Sequence, residues 1–137
     1  MTEPDPLRRH EVELRMLAAR QRVPGVRALA TEMAMREDFD LDSIDDIRLA
    51  VDEACSIMLA NSMPDTVLTV RLLITAARFE INASIPLRGD REPVVGSLSL
   101  SILRSLAETL DYWTIGIGDK RGFRLTFTRS TRQAASS

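Results

Sequence analysis

Glu53 is the residue of this sequence whose surroundings most resemble a chemical site. It lies in the run Asp45 to Cys55, which reads Asp-Asp-Ile-Arg-Leu-Ala-Val-Asp-Glu-Ala-Cys. A carboxylate on a helix can act as a general base, and a second polar group one turn away could share the work. The position one turn on is Ile57, and Asp46, Ala50 and Ala60 fall near the same line, offset from the main apolar stripe. On residue types alone, Glu53 is a solvated surface charge. Cys55 is the single cysteine and sits on the apolar stripe, so a buried structural thiol is expected rather than a nucleophile. His10 is the single histidine. One cysteine and one histidine exclude an intrachain disulfide, multi-cysteine and His-rich metal sites, and Ser-His-Asp or Cys-His catalysis. Arg20, Arg22 and Arg27 form a positive cluster whose forks could meet acidic groups on a partner.

The chain of 137 residues suits one domain. An apolar fraction of 45% with only 4% aromatics predicts an aliphatic core of Leu, Ile, Val, Ala and Met. Eighteen basic against 20 acidic residues give a formal charge of −2, which lacks the footprint of a phosphate-backbone binder. The start, Met1 to Pro6, has no apolar signal core, and no segment is long enough to span a bilayer. A cytoplasmic domain is therefore expected, without direct nucleic-acid or membrane contact. Residues 1–9 and 129–137 are expected to be flexible ends flanking a domain over 10–128.

Period decides the elements that must position these residues. Val12, Leu14 and Met16 alternate with charges, predicting a half-buried strand from His10. Val26, Leu29, Ala30 and Met33 share a helical face behind Pro24 and Gly25, with Met33 and Met35 filling the helix. Ile44, Ile47, Val51, Ala54, Cys55 and Met58 make the widest apolar stripe, and Ser43 with Asp46 has the spacing of a capping box. Leu68 to Ile74 and Phe79 to Ile85 alternate around the short Ala76-Ala77-Arg78 link, predicting a hairpin. A charged loop, Pro86 to Pro93, precedes helical spacing over Ser97 to Leu110, with Leu98, Ile102, Leu106 and Leu110 in line. Trp113 to Ile117 and Phe123 to Thr128 flank a Gly-containing turn, a second hairpin, with Tyr112 and Trp113 at the sheet edge. The order predicts an α+β two-layer sandwich: a mixed, mostly antiparallel sheet with three helices on one face.

The run through Asp-Glu-Ala-Cys resembles the anti-sigma factors of the RsbW and SpoIIAB type, and most of all the actinobacterial anti-sigma-F proteins. The similarity extends from about His10 to Phe127. These are serine kinases on the histidine-kinase-like ATPase (Bergerat) fold shared with gyrase, so the resemblance implies that fold. It also implies an ATP site in which a Glu prepares a hydroxyl and an Asn four residues later holds magnesium. Glu53 matches the Glu. Ile57 stands at the Asn position, and an alkyl group cannot ligate a hard ion. Asn61 lies two turns beyond Glu53 and does not replace it. The family's adenine-reading Asp falls at Ile85 and the first following glycine at Leu87; Gly89 and Asp90 are several residues out of register. A Gly-Leu-Gly-Leu turn that cradles phosphate is replaced by Ser97-Leu98-Ser99-Leu100, whose serines are expected to cap the helix.

Glu53 is thus a degenerate catalytic position, with Ile57, Ile85, Ser97 and Ser99 at the nucleotide positions. The resemblance implies a sigma factor of the sigma-F/sigma-B type as partner, held in part through Arg20, Arg22 and Arg27. Arg27 matches the family arginine in Val23-Pro24-Gly25-Val26-Arg27. It further implies release by an anti-anti-sigma protein of the STAS type, partner switching as in stress-response pathways, and homodimers. No cofactor and no metal are expected. ATP and magnesium enter only under the alternative, an active kinase phosphorylating a serine of the antagonist with Glu53 as base. A third reading is a scaffold or dimerisation domain in another partner-switching pathway.

Overall fold

The computed structural model describes residues 9–132 and 134. The strands are β1 (His10–Leu17), β2 (Val67–Ile74), β3 (Arg78–Pro86), β4 (Thr109–Ile115) and β5 (Gly122–Ser130). The helices are α1 (Val23–Arg36), α2 (Leu41–Ala60) and α3 (Ser97–Leu106), with short 3-10 turns at Arg20–Arg22 and Gly118–Lys120. One sheet runs in the order β1-β2-β3-β5-β4. All four pairings are antiparallel, so the expected mixed sheet is corrected to a wholly antiparallel one. The α+β sandwich is otherwise as expected, and it agrees with the ATPase-type fold that the resemblance implies.

Alternation builds the sheet's inner face. Leu68, Val70, Leu72 and Ile74 of β2, with Phe79, Ile81, Ala83 and Ile85 of β3, are buried, as period two requires of a half-covered antiparallel sheet. Phe123, Leu125 and Phe127 of β5 continue that face. The helical layer supplies Val26, Ala30, Met33 and Ala34 from α1 and Ile47, Val51, Ala54, Cys55 and Met58 from α2. Each large side chain buried this way contributes roughly 1.5–3 kcal/mol. The aliphatic core needs one amendment: all four phenylalanines, including Phe39, are inside it. The opposite face presents polar groups such as Arg71, which pairs with Glu11, and Thr126, which donates to Asn82.

Helix α2 starts one turn earlier than the capping box suggested. Asp40 is the N-cap, its carboxylate accepting from the Ser43 amide at 2.8 Å, and Ser43 is buried within the first turn. Hydrogen bonding from Ser43, its hydroxyl first and its amide second, holds the Asp40 carboxyl below its ordinary pKa.

Three further expectations change. Helix α3 stops at Leu106, and Leu110 belongs to β4. Its buried residue is Leu103, whereas Leu98 is 74% exposed. The second hairpin is therefore longer than expected, with β4 starting at Thr109 and Ile117 lying in its turn. Gly116 makes that turn possible. It has φ 78°, and a Cβ there would sit 2.1 Å from the Lys120 carbonyl oxygen. Tyr112 and Trp113 do lie on the edge strand, Tyr112 meeting Phe123 edge-on at 6.3 Å. Met33 is buried, but Met35 is 61% exposed.

The expected flexible tail begins too early. Strand β5 runs to Ser130, and the Arg129 guanidinium donates to Asp46 on α2 at 2.8 Å. The Arg132 carbonyl accepts from the Asp40 amide, fastening this segment to the start of α2. Residues 1–8, most of the expected flexible start, lie outside the described residues.

Candidate functional site

Helix α2 presents Glu53 toward the N-terminal turn of α3. Ser99 donates its hydroxyl to Glu53 Oε1 at 2.8 Å, a bond across 46 positions of sequence. The carboxylate in the position of a base and the serine in the position of a phosphate-cradling glycine are thus hydrogen-bonded to each other. Neither Ser97 nor Ser99 caps α3: Gly96 is its N-cap, with no side-chain hydrogen bond. That overturns the expected capping role.

The flanking positions are apolar and closed. Ile57 and Ile85 are each 2% exposed, and Leu87, at the position of the family's first glycine, is 3% exposed. The helical line through Ala50 and Ile57 is therefore part of the core, and Glu53 is the half-buried polar group on it. Buried alkyl groups provide no oxygen for magnesium and no hydrogen bond for an adenine amine, so these residues do not fit Mg-ATP.

The loop between β3 and α3 is fastened at both ends. Asn61 is buried just past α2. Its amide nitrogen donates to the Ile57 and Val94 carbonyls at 2.8 and 2.9 Å, and its oxygen accepts from the Val94 amide at 2.7 Å. At the other end the Leu87 amide donates to the Arg121 carbonyl at 2.9 Å. The Arg121 guanidinium donates to the carbonyls of Gly89 and Arg91 and reaches Glu92 at 3.2 Å. Gly89 is held by this clasp, and Asp90 is exposed within it.

Cys55 is a free thiol with no exposed surface. Burial, reinforced by the negative charge of Asp52, pushes its pKa up to about 12. A thiol held neutral is a poor nucleophile, in keeping with the structural role expected of it.

The arginine cluster divides. Arg20 and Arg22 are exposed on the 3-10 turn that leads into α1. Arg27, one turn into α1, is paired across the helix interface: its Nη1 donates to both oxygens of Asp52, at 2.9 and 3.0 Å. Arg20, Arg27 and Asp52 share a hollow with Val23, Pro24, Ser56 and Leu59. Asp52 and Asn61 were invisible as functional groups in the sequence. Their partners lie 25 and 33 positions away, and no local spacing signals such contacts.

An antiparallel sheet carrying the Glu53 helix, the β3–α3 loop and α3 on one side is consistent with the two-layer sandwich of the histidine-kinase-like ATPases. No protein-family model matches the chain. It is 33% identical over 129 residues to the anti-sigma-F factor RsbW of Mycobacterium tuberculosis, in each of two strains, covering 92% of this chain and 76% of the relative. The chain belongs to the RsbW-type anti-sigma factor family.

Proposed function

We propose that this chain sequesters a sigma factor of the sigma-F/sigma-B type by direct contact in the cytoplasm. A STAS-type anti-anti-sigma protein then releases it by competition, without being phosphorylated by this chain. The family relationship supports the sigma partner. The observation that carries the absence of kinase chemistry is the Ser99–Glu53 hydrogen bond beside buried Ile57. With Ile57 one turn away there is no oxygen ligand to hold a metal that aligns phosphates, and the Ser99 hydroxyl competes with a substrate hydroxyl for the Glu53 carboxylate. Arg20, Arg22 and Arg27 are the proposed contacts to the sigma factor.

The retained Glu53 favours one alternative, an active serine kinase with Glu53 as base. Calorimetry with ATP, with and without magnesium, separates the two readings. The proposed function expects no Mg-ATP heat at micromolar protein. Micromolar affinity abolished by Glu53→Ala or by chelation would establish the kinase instead. Pull-down from a native extract tests the partner, the expected catch being a sigma factor. A purified sigma factor from that catch should bind Arg27→Gln at least tenfold more weakly, in a variant whose circular dichroism shows it folded despite the lost pair with Asp52.

A further inference from the structure

The hollow between α1 and α2 carries a second assignment, which rests on reading Arg27 as a partner contact. Asp52 engages only one end of the Arg27 guanidinium, because both of its oxygens meet the same Nη1. Nε and Nη2 form the edge that can grip a carboxylate with two parallel hydrogen bonds. That edge has no hydrogen bond to any described residue. The two side chains are 32% and 34% exposed, so the pair is accessible rather than sealed. Beside it the hollow of about 300 Å³ has an apolar wall of Val23, Pro24 and Leu59 and a cationic rim at Arg20. This chemistry fits an aspartate or glutamate side chain, its methylene stem on the wall and its carboxylate on the free edge of Arg27.

We propose that Asp52 is an internal competitor for Arg27, which weakens capture of an acidic side chain of the sigma factor and so keeps the complex exchangeable. Two effects of Asp52 oppose each other. It holds the guanidinium in place, which spares the partner the entropy of fixing that side chain, roughly 2- to 12-fold in affinity. It also sets a second negative charge across the guanidinium from the incoming one. At a separation of about 6–7 Å and an effective dielectric of about 20, that repulsion is on the order of 50- to 100-fold. Repulsion wins. The pair has no net charge, so Arg20 and Arg22 supply the long-range attraction while Arg27 supplies geometry. Such a contact is strong enough to orient a partner and weak enough for an antagonist to break.

The test measures affinity for the purified sigma factor recovered in the pull-down, using wild type, Asp52→Asn and Asp52→Ser. Both substitutions remove the charge, and melting curves check that each variant is folded. The expected result is about tenfold tighter binding for both, equivalent to about 1.4 kcal/mol, with the gain shrinking as salt rises. Unchanged or weaker binding in folded variants would overturn the role of Asp52 and leave the anti-sigma reading intact. Wild-type protein that binds no sigma factor would overturn both.

Discussion

Cys55 carries a prediction with a definite sign. Its thiol is pushed up from 9.0 to about 12 in the folded chain, first by burial and then by Asp52. The unfolded chain releases this proton near pH 9, while the folded chain keeps it until near pH 12. The unfolded state therefore binds fewer protons in that window, and stability falls as pH rises through it. Below pH 9 the thiol is neutral in both states and the dependence vanishes. Denaturant unfolding between pH 8 and 10 should show a wild-type loss approaching about 1.4 kcal/mol per pH unit above pH 9. Cys55→Ala should lack that component, and parallel curves for the two proteins would show that the thiol titrates normally. The burial of this residue was legible, since it falls on the stripe of Ile47, Val51 and Met58. The pairing of its neighbour Asp52 was not, because an ion pair between two helices leaves no periodic trace.

At the scale of elements, α1, α2 and the first hairpin were legible because each has one period along its whole length. The boundary between α3 and β4 was not. Leu106 and Leu110 keep the helical spacing, yet Leu110 and Tyr112 also begin the alternation of a strand. Pairing of Leu110 with Phe127 on β5 decides between the two periods. Asn61 shows the same limit at the candidate site: its place after α2 was evident, its grip on Val94 was not. Asn61→Ala removes three hydrogen bonds and should cost about 1–3 kcal/mol. Hydrogen exchange over residues 88–96 should accelerate ahead of the rest of the domain; unaltered protection there would mean that Arg121 alone holds the loop. Ile57→Asn, which restores the family's residue type, should not restore a site. It places an amide where the present side chain is 2% exposed, and the expected cost is about 3–5 kcal/mol. Chemical denaturation reads that loss, and calorimetry should show no magnesium-dependent nucleotide binding.

For the whole molecule, three polar contacts, two of them beside the nucleotide positions, tie the helical layer and its loop to α2. Ser99 joins α3 to α2, Asn61 joins the loop to α2, and Arg27 joins α1 to α2. In a nucleotide-driven switch the loop and the N-terminal end of α3 would have to rearrange around phosphates, and each such movement would break one of these links. A ligand shifts a conformational equilibrium only through a difference in its affinity for the two states. On the proposed function, with Ile57 and Ile85 buried at the nucleotide positions, ATP has no such difference to exploit. Sigma capture should therefore be the same with no nucleotide, with millimolar Mg-ATP and with Mg-ADP, to within about twofold, or 0.4 kcal/mol. Release should follow the concentration of the anti-anti-sigma protein alone, with a half-point set by its affinity relative to the sigma factor. Titrating that antagonist into a preformed complex, and following the displaced sigma factor by fluorescence anisotropy with each nucleotide, checks both statements. A half-point that moves tenfold with Mg-ATP, or a phosphorylated antagonist recovered by mass spectrometry, would return Glu53 to catalysis. Superposed curves would leave it as the acceptor that holds α3 in place.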